Sequence, residues 1–143
     1  MNIHQISVFM ENRAGQLSEL TNMLAAANID IRAISIAETT DYGLVRMIVD
    51  DSKKASDTLL GHGNVLSMTP VMAVEVPDRP AGLAELLKVF EEYSINIEYM
   101  YSLFTHREGL AYMVIKVNEE KTVYDVAEKG LVTLADAEFL GLK

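Results

Sequence analysis

Asn12-Arg13-Ala14-Gly15-Gln16-Leu17 returns later in the chain as Asp78-Arg79-Pro80-Ala81-Gly82-Leu83, 66 positions on. The same offset pairs Glu19 and Leu20 with Glu85 and Leu86, and Ile29-Asp30-Ile31 with Ile95-Asn96-Ile97. It also pairs Gly43-Leu44 with Gly109-Leu110 and Met47 with Met113, with no insertion from Ile6 to Asp51. A repeat of this length makes the chain two copies of one structural unit. The copies are expected at residues 1–70 and 71–143, joined near Thr69-Pro70.

Within each copy the apolar period alternates between that of strands and that of helices. Ile6–Met10 and Val71–Val76 read as first strands, and Leu17, Leu20 and Leu24, or Leu83, Leu86, Leu87 and Phe90, recur at helical spacing. Each helix should stop before Asn28 or Ser94, followed by strands at Ile29–Ile36 and Ile95–Leu103. Asp41-Tyr42-Gly43 and Arg107-Glu108-Gly109 read as turns whose Gly supplies a positive φ. Third strands follow at Leu44–Val49 and Leu110–Val117, then weaker helical patterns around Leu59 and Leu60, or Val123, Val126 and Ala127. Val65–Met68 and Leu131–Leu134 complete the copies, with a helical turn at Ala135–Leu142. The order is βαββαβ twice. This is an α+β architecture of two ferredoxin-like units, with antiparallel sheets carrying their helices on one face.

Composition narrows the functions. The 143 residues carry 21 Asp and Glu against 12 Lys and Arg, a net charge of −9, and 50% are hydrophobic. Such a chain has enough apolar material for a core, and it repels both a phosphate backbone and an anionic membrane. Neither nucleic acid nor membrane is therefore an expected partner. The absence of Cys removes thiolate catalysis and Cys-based zinc sites, and the scattered His4, His62 and His106 make no metal cluster. No secretory signal or long apolar run is legible, so a cytoplasmic location is expected. No nucleophile–base arrangement or phosphate loop is legible either, so neither catalysis nor a cofactor is expected.

The repeated corner between first strand and first helix carries the chemistry. Asn12 and Asp78 are suited to cap the helix, and the small pairs Ala14-Gly15 and Ala81-Gly82 allow close approach to the backbone. A helix start offers unpaired N–H donors and partial positive charge, which suits a carboxylate. Asp30 or Asn96, at the entry of the second strand, could accept a hydrogen bond from an ammonium group. Donors for a carboxylate and an acceptor for an ammonium together suit a free amino acid. Met10, Met100 and Met113 read as core filler that could also line a pocket, with Tyr99 or Tyr101 facing the ligand.

The corner, the following Leu and the Asn-Ile-Asp-Ile and Ile-Asn-Ile-Glu strand entries resemble the ACT domain family, twice, over nearly the whole chain. The resemblance implies a regulatory module that binds an amino acid at an interface between paired copies or subunits, and a homodimer. It implicates Asn12, Arg13, Ala14, Gly15, Gln16 and Leu17 with Asp30 in one copy, and Asp78, Arg79, Pro80, Ala81, Gly82 and Leu83 with Asn96 in the other. Ala14 stands where the family pattern has Pro, Ala81 where it has Gly, and Asp30 where it has Asn. The stretch from Ile6 to Met47 is also similar to the N-terminal half of acetolactate synthase small subunits. That similarity implies the alternative of a regulatory subunit with a partner enzyme.

Overall fold

The computed structural model describes residues 3–38 and 42–143. It contains β1 (Ile3–Glu11), α1 (Gln16–Ala26), β2 (Ile31–Glu38), β3 (Tyr42–Val49), α2 (Ser52–Gly61) and β4 (Val65–Pro77). These are followed by α3 (Gly82–Glu92), β5 (Ile97–Arg107), β6 (Leu110–Val117), α4 (Glu120–Glu128), β7 (Leu134–Ala135) and α5 (Ala137–Leu140). Two compact units result. One comprises His4–Pro70 with Gly141–Lys143, and the other comprises Ile3 with Val71–Leu140.

The first unit orders its strands β2-β3-β1-β4 and the second β5-β6-β4-β7, antiparallel at every register described. Ferredoxin-like βαββαβ is thus built twice. In the first unit Ile6, Val8, Val45, Met47 and Val49 face Leu20 and Leu24 of α1 and Ala55 and Leu59 of α2. In the second, Met72, Val74, Val76, Ile115 and Val117 face Leu86 and Phe90 of α3 and Val123 and Val126 of α4. Both helices of each unit therefore share one sheet face, as alternation of apolar strand residues requires.

All four long helices stop in the same way. The residue two past each cap donates its N–H to a carbonyl five positions back: Ile29 to Leu24 (3.0 Å), Asn64 to Leu59 (3.1 Å), Ile95 to Phe90 (2.9 Å) and Leu131 to Val126 (3.2 Å). The residue between turns left-handed: Asn28, Gly63, Ser94 and Gly130. This closure satisfies carbonyls that a helix end otherwise strands. It also corrects the strand starts, since Ile29 and Ile95 close helices and β2 and β5 begin two residues later.

Other boundaries differ from the sequence reading. β4 is longer than the two short strands read from the sequence, running from Val65 to Pro77 through the joint near Thr69-Pro70, where the two compact units divide. The last strand is Leu134–Ala135 instead of Leu131–Leu134, because Leu131 is used to close α4. The C-terminal helix is only Ala137–Leu140, its Phe139 N–H bonded to the Asp136 carboxylate at 2.8 Å. Gly43 is a strand residue opposite Met10, so only Gly109 (φ 78°) serves as the expected turn glycine. Asp41 of the first turn lies outside the described residues.

The ungapped alignment also breaks. Ile6 pairs with Met47 and its repeat Met72 pairs with Ile115, so the third strands are offset by two more residues than the first strands. The extra length sits in β5, where the register against β6 jumps between Ser102 and His106. Gly43 and Gly109 are therefore not equivalent, nor are Met47 and Met113.

Candidate functional site

In each copy the strand leaves the sheet through the same short turn. Arg13 N–H donates to the Glu11 carbonyl at 3.1 Å and Gln16 N–H to the Arg13 carbonyl at 3.3 Å. In the second copy Arg79 N–H donates to the Pro77 carbonyl and Gly82 N–H to the Arg79 carbonyl, both at 3.0 Å. That extra turn moves the helix starts. The residues at the N-cap are Gly15 (φ 86°) and Ala81 (φ 69°), neither with a side-chain cap. Asn12 and Asp78 stand four residues ahead of the first helical residue, which corrects the capping role expected of them. Asp78 instead donates its N–H to the Gly109 carbonyl at 2.9 Å, tying this corner to the β5–β6 turn.

The Gln16 and Gly82 amides are taken up within the corners, and the amides that follow them in the first turns of α1 and α3 give each corner local positive character on an acidic chain. The corner arginines do not face outward as free cations. Arg13 reaches Glu19 at 3.3 Å and Glu11 at 3.4 Å. Arg79 makes two bonds to Glu85, at 3.2 and 2.6 Å. The hydrogen bond from Arg79 holds the Glu85 carboxyl below its ordinary range, partly opposed by burial. Both partners are more than half exposed, so each pair adds little to stability. Their effect is to fix the arginine against the first turn.

Behind the corners the copies diverge. Gln16 extends a side chain whose Oε1 is buried without a hydrogen-bond partner among the described residues. Gly82 has no room for any side chain, because a Cβ there would stand 1.9 Å from the Pro77 carbonyl oxygen. Beside it lies a cavity of about 230 Å³ lined by Pro77, Gly82, Leu86, Val89 and Val132 together with Glu75 and Glu85.

Each second strand is entered through a reciprocal clamp. Asp30 N–H donates to the Asp50 carboxylate and Asp50 N–H to the Asp30 carbonyl, both at 3.0 Å. Asn96 N–H donates to the Asn118 side-chain oxygen at 2.9 Å and Asn118 N–H to the Asn96 carbonyl at 3.1 Å. The Asp30 carboxylate is within 3.2 Å of Arg32 Nε, whereas the Asn96 amide side chain makes no hydrogen bond among the described residues. Sequence reasoning missed Asp50 and Asn118, because the uniform offset misaligns them by two residues.

The structure thus gathers Arg13, Ala14, Gly15, Gln16 and Leu17 into one corner and Arg79, Pro80, Ala81, Gly82 and Leu83 into the other. Asp30 and Asn96 head separate clamps. Met10 packs on the first core and Met100 and Met113 on the second, so they serve the packing role expected of them. Among the described residues no cluster of acidic, His or Cys side chains could hold a metal, and no helix is long and apolar enough to cross a membrane.

A duplicated ferredoxin-like unit with glycine- and alanine-cornered strand-to-helix turns defines a class of paired small-domain proteins. The chain belongs to the ACT domain family: the model of the ACT domain pair matches residues 1–142. A solved structure of protein BT0572 from Bacteroides thetaiotaomicron is 35% identical, with a TM-score of 0.89, over 99% of this chain and 96% of that one. The ligand-free regulatory subunit of aspartate kinase from Thermus thermophilus shares the fold at 17% identity, with a TM-score of 0.64, over 90% of this chain and 87% of that one. The corresponding subunit from Thermus flavus is 16% identical, with a TM-score of 0.62, over 92% and 90%. No curated protein sequence matches the chain.

Proposed function

We propose that this protein is a non-catalytic amino-acid sensor that takes its ligand between paired ACT copies, in one chain or across a homodimer. The match to an ACT domain pair over residues 1–142 carries the reading. The residues assigned to the ligand are Asn12, Arg13, Ala14, Gly15, Gln16 and Leu17 with Asp30, and Asp78, Arg79, Pro80, Ala81, Gly82 and Leu83 with Asn96. Corner amides hold the carboxylate, and a strand-entry oxygen holds the ammonium. Metabolite sensing needs only about −4 to −8 kcal/mol, for millimolar to micromolar Kd. A few charge-assisted hydrogen bonds, each worth ~1.5–3 kcal/mol, supply that without a deep pocket.

A thermal-shift screen against the common L-amino acids tests the reading. A ligand at about 100 times its Kd adds ~2.7 kcal/mol of stability. For the tightest binder, Asn12→Leu or Asp78→Leu should weaken binding far more than it lowers unliganded stability, since neither residue caps its helix. Equal losses in both quantities count against ligand contact.

The second reading, a regulatory subunit of an amino-acid biosynthetic enzyme, is favoured by the likeness of Ile6–Met47 to acetolactate synthase small subunits. Co-purification of a large catalytic partner separates it from a free-standing sensor.

A further inference from the structure

Gly82 belongs to the second corner, opens α3 and lines the cavity of about 230 Å³. A molecule held by the amides that follow Gly82 thus stands beside that cavity. Pro77 at the end of β4, Leu86 and Val89 of α3, and Leu131 and Val132 between α4 and β7 line it with hydrocarbon from three parts of the second unit. Leu86 and Val132 are buried, whereas Leu131 is 47% exposed, an apolar side chain left in water.

The polar groups of the lining are already engaged. The Glu85 carboxylate accepts both bonds from Arg79, whose charge offsets its own. Glu75 donates its N–H to the Thr133 carbonyl at 2.9 Å, and its carboxylate accepts from the Tyr112 hydroxyl at 3.1 Å. Val74 and Val76 face α3, so strand alternation turns the Glu75 side chain to the opposite sheet face, with its register partner Tyr112. A charged or strongly polar group entering the cavity would leave water without gaining a partner of its own.

We infer, resting on the amino-acid-binding reading above, that this cavity takes the side chain of the ligand and selects an uncharged, apolar one of four or more carbons. The corner meets the part that all amino acids share, and the cavity meets the part that distinguishes them. An apolar site of ~150 Å³ already admits a six-carbon ring, so an isobutyl group enters this one whole. Each CH2 moved out of water is worth about fourfold in affinity. The three carbons that leucine has beyond alanine therefore separate the two ligands by well over an order of magnitude when fully covered.

Calorimetric titration of single L-amino acids into the intact chain tests this. Leucine and phenylalanine should bind at least tenfold more tightly than alanine, serine, aspartate or lysine. Val89→Phe, which fills the cavity, should bring leucine down about tenfold, to the level of alanine, and leave alanine itself within about twofold. Val89→Ala, which widens it, should favour phenylalanine over leucine severalfold relative to the unaltered chain. Melting temperatures of the unliganded variants separate a blocked cavity from a damaged fold, and Val89→Ala keeps the outcome readable if Val89→Phe is unstable. Equal affinity for leucine and alanine, tightest binding of a polar or charged amino acid, or indifference of leucine to both Val89 variants overturns the inference and leaves amino-acid binding standing. No binding of any amino acid overturns the functional reading and the inference with it.

Discussion

Ala81 holds the left-handed conformation that Gly15 holds in the first copy, at φ 69° against 86°. A Cβ in that region costs roughly 1–2 kcal/mol. Ala81→Gly should therefore stabilise the protein by about 1 kcal/mol in urea denaturation, after some of the gain is lost to the more flexible unfolded chain. Gly82→Ala should do the reverse by about 2 kcal/mol or more, because its Cβ would collide with backbone that cannot step aside. The sequence displayed both residues but not their division of labour. Glycine one place later reads as the turn glycine displaced, when it meets a separate demand set by how closely Pro77 approaches the helix start. Only φ angles and a through-space distance distinguish the two.

At the scale of elements, repeated helix stops explain why boundaries fall where they do. Ser94 takes φ 56° to let Ile95 close α3, and Ser lacks the tolerance of this region that Asn28 has at the matching stop. Ser94→Gly should stabilise by about 1 kcal/mol, raising Tm by a few degrees, and Asn28→Gly should gain less. The short α5 is held by Phe139, whose ring lies 5.1 Å from that of Tyr112 and 4.2 Å beneath the Arg107 guanidinium. Burial, and then the hydrogen bond to Glu75, raise the Tyr112 phenol above its ordinary value of 10.0. The folded state thus holds this proton more tightly than the unfolded chain, so the contribution is complete below about pH 10 and lost as pH rises through the folded value. Denaturation midpoints should fall above that pH, and Tyr112→Phe should flatten the fall. Helix periodicity and stops near Asn28 and Ser94 were legible because they are local. The register jump after Ser102 was not, because apolar alternation is unchanged by a shift of two residues.

For the whole molecule, the duplication was legible from one motif because each unit builds its own core from its own strand and helix faces. The identity of the corner was legible in the same way, since Arg13 with Glu19 and Arg79 with Glu85 keep the repeat offset. The inequality of the two strand entries was hidden. The clamp partners Asp50 and Asn118 lie 20 and 22 positions beyond Asp30 and Asn96, and Lys143 N–H reaches the Asp50 carbonyl at 2.7 Å, contacts that no local pattern records.

The ends of the chain are exchanged: Ile3 is counted with the later unit and Gly141–Lys143 with the earlier one. A cut after Pro70 would not release two self-sufficient halves, because each fragment would carry off residues belonging to the other's fold. Separately expressed 1–70 and 71–143 should stay poorly folded alone and regain native helicity by circular dichroism when mixed, whereas full structure in both isolated fragments would show that the exchanged ends are ornamental. A duplicated sequence of this kind does not divide cleanly at its repeat boundary.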